Sequence, residues 1–180
     1  MRIAVYCSAK DAIPEEYLAL GDALGAWIGA NGHTLVYGGA TGGLMSRTSN
    51  AAKAAGAHVI GVIPSRIIAC GRRADNCDYQ IEVANMSERK QRMRDEADVI
   101  VCLPGSYGTL DEMMDVTSSA IVGEHKKPTY VLNYQGFYEP LKQQIELMRR
   151  LHFIPEQESY KPLFVDTLEE IEEKINMINH

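Results

Sequence analysis

No two cysteines in this 180-residue chain are spaced as CxxC, and no zinc-type histidine spacing accompanies them. Cys7, Cys70, Cys77 and Cys102 therefore carry no metal-ligand signature, and no metal or cofactor is expected. Cys7 and Cys102 end apolar runs and read as buried thiols, whereas Cys70 and Cys77 fall in a loop-like stretch. No apolar run approaches the roughly 18 residues of a membrane helix. The opening Met1 to Cys7 reads as a strand rather than a targeting peptide. Excess positive charge is missing too. The net charge of -6 and pI near 5.4 argue against nucleic acid as a partner. A small anionic ligand stays open, because local dipoles can oppose a net charge. Internal repeats and low-complexity segments are absent. The expectation is one cytoplasmic domain over residues 1–180, with no membrane partner and a core large enough to need no staples.

What is present alternates. Ile3 to Cys7, Leu35 to Tyr37, Val59 to Ile63, Gln80 to Val83, Val99 to Leu103, Thr129 to Leu132 and Leu163 to Val165 read as short apolar strands. Helical patterns follow most of them. One opens at Pro14 with Glu15 and Glu16 and stops at Asn31-Gly32, where His33 reads as a surface residue. Others run over about Leu44 to Ala55, Asn85 to Ala97, Thr109 to Gly123, Phe137 to Leu151, and from Thr167 onward. Ser65 to Tyr79, with Arg66, Arg72 and Arg73, lacks periodicity and reads as a long mobile connection. Strands alternating with helices predict an α/β fold, a Rossmann-like doubly wound parallel sheet with helices on both faces. Ligands of such sheets bind beyond the carboxyl ends of the strands.

Two glycine loops fall at those ends. Gly38-Gly39-Ala40-Thr41-Gly42-Gly43 follows the second strand, without dinucleotide spacing or the Lys-Ser/Thr ending of a P-loop. Leu103-Pro104-Gly105-Ser106-Tyr107-Gly108 follows the fifth and runs into Thr109-Leu110-Asp111-Glu112. Amides at a helix start, with the helix dipole, make an anion site, and two carboxylates sit beside it. A plainer reading competes: Thr109-x-x-Glu112 also fits a capping box. Thr167-Leu168-Glu169-Glu170 repeats that pattern without glycines and reads as a cap alone. Upstream, Arg89, Lys90, Arg92 and Arg94 crowd the front of one helix. Glu88 and Arg92 at i,i+4 account for part of the run. The other cations oppose the helix dipole and are better explained by an anion nearby. Met113, Met114, Val116, Ala120, Ile121 and Val122 make the helix after the second loop apolar on more than one side.

Gly38 to Met45, Glu88-Arg89-Lys90 with Met93, Pro104 to Glu112, Lys127-Pro128 and Leu132 to Tyr138 together resemble the Lonely Guy family of cytokinin riboside 5'-monophosphate phosphoribohydrolases. The likeness runs from about Arg2 to Ile154. It implies hydrolysis of the N-glycosidic bond of a nucleoside 5'-monophosphate, a cytokinin riboside monophosphate or AMP, to free base and ribose 5-phosphate. It also implies a homodimer. Carried over, Arg89 and Glu112 form the catalytic pair. Lys90, Gly105, Ser106, Tyr107, Gly108, Thr109, Asp111 and Ser118 bind the substrate, and Gly39, Thr41, Gly42 and Gly43 line the nucleotide site. Several positions depart from the family pattern. Ser106 replaces a glycine, Gly71 a glutamate, Ser118 a threonine, Ser119 a tryptophan and Ile121 a glutamine. A non-catalytic nucleotide sensor on the same fold is the alternative reading. A sugar-phosphate or phosphoryl transferase is a third, which would call for a metal cluster or P-loop lysine.

Overall fold

A computed structural model describes residues 1–178. Its seven strands form one parallel sheet in the order β4-β3-β2-β1-β5-β6-β7. They are β1 (Arg2–Tyr6), β2 (Thr34–Tyr37), β3 (His58–Pro64), β4 (Tyr79–Val83), β5 (Val99–Cys102), β6 (Thr129–Leu132) and β7 (Leu163–Val165). The helices are α1 (Glu15–Ala30), α2 (Gly43–Ala54), α3 (Ser65–Ala69), α4 (Met86–Glu96), α5 (Tyr107–Ile121), α6 (Glu139–Arg150) and α7 (Leu168–Ile178). The strand order reverses direction between β1 and β5, so a crevice opens there at the carboxyl edge of the sheet.

The central strands are buried on both faces, as an all-parallel sheet requires. On one face Ile3, Val5, Leu35 and Val101 pack with Leu20, Leu24, Ile28, Leu44 and Ile171. On the other, Ala4, Tyr6, Val36 and Ile100 pack with Met93, Met113, Val116 and Tyr138. The second face matters for function, because α4 and α5 lie on it side by side. Ion pairs fasten them: Lys90 to Asp111 at 2.9 Å and Asp115 at 3.3 Å, and Arg94 to Asp115 at 2.7 Å. Arg94 also donates at 2.8 Å to the Oγ of Ser119, the serine that replaces a tryptophan of the family pattern. Lys127 Nζ donates to the carbonyl of Arg94 at 2.6 Å and to that of Ala97, closing the C-terminus of α4.

Four local expectations are corrected. His33 is 7% exposed and stacks near Trp27, with ring centroids 5.2 Å apart, because the chain turns its imidazole under the end of α1. Ser65 to Tyr79 is not irregular throughout: α3 fills its start, and Ala40 bridges Arg73. Glu88 does not pair with Arg92. It accepts from the Ala84 amide at 2.8 Å, while its own amide is capped by Asn85 Oδ1 at 3.0 Å. Arg92 turns instead to Glu96, at 2.6 Å. The sixth helix begins at Glu139, two residues later than the pattern suggests, after a short 3₁₀ turn over Tyr134–Gly136.

Candidate active site

The helix after the second glycine loop starts at Tyr107, with Ser106 as its N-cap, not at Thr109. This overturns the capping-box reading of Thr109 to Glu112. Thr109 lies inside the first turn, 2% exposed, packed beneath Gly105. A Cβ on Gly105 would overlap Thr109 Oγ1 and lie 2.5 Å from Thr109 Cβ, so only glycine lets the loop lie on that side chain. Glu112 falls in the second turn and points inward rather than back to the helix start. The look-alike stretch behaves differently: Thr167 Oγ1 accepts from the Glu170 amide at 3.3 Å, a true cap. Ser106 has φ of -101°, ordinary extended backbone, so serine is unstrained where the family has glycine. Its hydroxyl makes no capping hydrogen bond, which leaves the first amides of α5 facing outward.

The other glycine loop is closed. Gly43 N donates to Asp11 Oδ1 and Gly42 N to Ser46 Oγ, each at 2.7 Å. Thr41 N donates to the Arg72 carbonyl at 2.9 Å, and Arg72 Nη2 donates back to Thr41 O at 2.8 Å. The protein thus supplies its own carboxylate to the start of α2. Thr41 and Gly42 line a polar cavity of about 430 Å³ with Lys10, Asp11, Ser46 and Arg72. Gly39 holds Ala74 through its carbonyl at 3.0 Å, and Gly71, exposed, ends the turn after α3.

Between the loops lies the buried pair. Arg89 Nη1 stands 3.4 Å from Glu112 Oε1, with Arg89 7% and Glu112 2% exposed. Arg89 comes from the first turns of α4 and Glu112 from those of α5, so the α4–α5 contact sets their separation. Arg89 Nε and Glu112 Oε1 have no hydrogen-bond partner among the described residues. A buried ion pair left unsaturated in this way is poor at stabilising a fold and is held at a cost. Burial pushes the Glu112 carboxyl up to about 7; Arg89 opposes the rise, Asp111 adds to it and Lys90 opposes it. Burial likewise pushes the neighbouring thiols of Cys7 and Cys102 up, so both are protonated near neutrality. A carboxyl poised near neutral pH beside a guanidinium and an open helix start can take or hold a proton next to a bound anion.

The remaining candidates sit as follows. Gly105, Ser106, Tyr107 and Gly108 rim the open helix start, and Tyr107 is 90% exposed. Lys90 and Asp111 lie at the edge of the site but are paired with each other. Ser118 is not beside Glu112. It lines an apolar groove between α5 and α6 with Met114, Ile121, Ile145, Met148 and Leu163. One contributor was not anticipated from residue type. Tyr138, 3% exposed, donates its hydroxyl to the Leu103 carbonyl at 2.9 Å and so anchors the root of the second loop. Its signal was only its place within Leu132 to Tyr138.

A family model described as "Possible lysine decarboxylase" matches residues 45–175. The chain is 39% identical over 155 residues to a cytokinin riboside 5'-monophosphate phosphoribohydrolase of Oryza sativa subsp. japonica, covering 86% of this chain and 64% of that protein. It is 35% identical over 168 residues to a protein of the same name from Mycobacterium marinum, covering 93% and 89%. Among solved structures, the molybdenum cofactor binding protein from Rippkaea orientalis superposes with a TM-score of 0.75 at 22% identity, over 99% of this chain and 97% of that one. That likeness shows the fold alone. By the family model over residues 45–175 and its identity to the mycobacterial protein, 89% of which it covers, the chain belongs to the Lonely Guy family of cytokinin riboside 5'-monophosphate phosphoribohydrolases.

Proposed function

We propose that the protein hydrolyses the N-glycosidic bond of a nucleoside 5'-monophosphate, with water adding to give the free base and ribose 5-phosphate. The single observation that carries this is the buried, unsaturated Arg89–Glu112 pair beside the uncapped start of α5. Breaking the bond develops positive charge on the ribose, as in glycoside hydrolysis. Glu112, ionised, stabilises that charge and accepts a proton from the attacking water. Arg89 holds the carboxylate and pairs an anionic group of the substrate. The amides of Gly105, Ser106, Tyr107, Gly108 and Thr109 receive the 5'-phosphate. Lys90 and Asp111 exchange partners with the substrate at the rim, and Gly39, Thr41, Gly42 and Gly43 shape the nucleotide side of the crevice.

The substrate is a cytokinin riboside monophosphate or AMP, and the reaction takes place in the cytoplasm. The working form is a homodimer joined across the α5–α6 groove, whose outward Met114, Ile121 and Leu163 support a second copy as the occupant. Ser118 then reaches a substrate only through that interface. The test is a panel of nucleoside 5'-monophosphates and the matching nucleosides, assayed for free base and ribose 5-phosphate. Release is expected from monophosphates only. No base released from any monophosphate overturns the reading.

A further inference from the structure

We propose that Gly38 is a positioning residue for the reaction: by lacking a side chain it keeps clear the space in which the Arg89 guanidinium meets Glu112. The proposal rests on the hydrolase reading above. Gly38 is the buried residue that follows β2, at the carboxyl edge of the sheet. Its φ lies outside the left-handed region, so backbone freedom does not explain the glycine. Space does. A Cβ built there falls on Arg89 Nη2, 2.9 Å from Arg89 Cζ and 3.1 Å from Met45 Cε. A Cβ on its neighbour Gly39 would instead meet first Ile63 Cβ and the backbone of Gly61 and Val62.

The two terminal nitrogens of Arg89 thus have different duties. Nη1 faces Glu112, while Nη2 occupies the space a Gly38 side chain would take. Glu112 and the first turn of α4, where Nη1 also contacts Met86 Sδ at 3.8 Å, bound the guanidinium elsewhere. A methyl group at position 38 meets the movable end of a long side chain. The chain can fold around it, but only by displacing the guanidinium from Glu112. The loss falls on geometry rather than on folding.

The groups facing Glu112 make the displacement readable. Arg89 and Lys90 of α4 favour its ionised form, and Asp111 and Asp115 of α5 oppose it. Tyr6, Cys7 and Cys102 of the sheet face it uncharged. The experiment follows the Glu112 carboxyl by ¹³C NMR in glutamate-labelled full-length protein, its signal assigned by loss in Glu112→Gln. In Gly38→Ala, Glu112 is expected to titrate at higher pH than in the wild type, as in Arg89→Met. The turnover number kcat falls by roughly 10²-fold, a cost known for misplacements of about 1 Å, while KM changes little. Added to Arg89→Met, the glycine substitution is expected to change neither titration nor turnover further.

An unchanged Glu112 titration in Gly38→Ala, or independent effects of the two substitutions, overturns the proposal. Should Gly38→Ala fail to fold, the double variant decides: folding restored by removing the guanidinium supports it, and continued failure overturns it. The titration is independent of turnover. A wild type that releases no base defeats the hydrolase reading, while the placement of Arg89 by Gly38 is still decided.

Discussion

Arg89 and Glu112 face one another at 3.4 Å inside the protein, and each keeps a polar atom without a hydrogen-bond partner among the described residues. Two helices that follow different strands carry them, and the Lys90, Arg94, Asp111 and Asp115 ion pairs hold those helices together. The ladder on the surface therefore sets the spacing of the pair beneath it.

The first consequence is a pH dependence. In the proposed mechanism Glu112 acts ionised, and burial pushes its carboxyl up to about 7. The kcat/KM for a nucleoside monophosphate is expected to rise with pH through that region. Glu112→Gln removes the limb, lowers kcat by roughly 10²- to 10⁴-fold, the usual worth of a general base, and retains nucleotide binding. A flat wild-type profile between acid and alkaline pH contradicts this.

Stability should move the opposite way. Burial pushes the folded carboxyl up to about 7 from 4.5 for the free group, so the fold favours its neutral form. The contribution is full below the unfolded value and is lost as pH rises from about 4.5 to about 7. Urea unfolding of the wild type and Glu112→Gln at pH 5 and pH 8 tests it. The wild type is expected to lose up to ~3 kcal/mol relative to the variant over that interval. Parallel behaviour of the two proteins rules it out.

Two hydroxyls that look alike should separate. Thr167→Ala removes a real cap on α7 and is expected to cost about 1 kcal/mol. Ser106→Ala removes no capping bond, so stability stays within about 0.5 kcal/mol, and KM for the monophosphate rises instead. Equal thermal shifts in the two variants would mean that Ser106 does cap its helix.

The α4–α5 ladder is open to direct measurement. Arg94 is nearly buried, and it joins Asp115, Ser119 and Glu124. Arg94→Met leaves Asp115 with one cation and is expected to cost roughly 1–3 kcal/mol in chemical denaturation. Loss of less than about 0.5 kcal/mol would place the ladder among ordinary surface pairs.

The proposed dimer is testable at a single apolar residue. Ile121 is 51% exposed on the α5–α6 groove. Sedimentation of the wild type as a dimer and of Ile121→Glu as a monomer is expected, because a buried unpaired charge opposes assembly. Identical sedimentation of the two means that copies do not meet on this face.

Alternating apolar runs and helical periodicity determined the strand and helix order from residue type alone, because in a parallel sheet both faces are buried and the pattern is local. The same holds for the open second loop, whose glycines and proline mark it in one dimension. Residue spacing could not separate Thr109 from Thr167. Whether a hydroxyl caps a helix depends on where the preceding loop leaves the backbone, and here the helix starts at Tyr107, with Thr109 inside its first turn and packed beneath Gly105. Nor could it show that Asp11, from the loop after β1, closes the first glycine loop, since that bond spans 32 positions. Arg89 and Glu112 were legible as candidates through a family likeness. Their burial, their mutual approach and the raised carboxyl came only from stacking α4 and α5 on one face of the sheet, with Gly38 leaving the room. Chemistry at this site is a property of distances between elements, and those distances exist only after the sheet has brought its strand ends together.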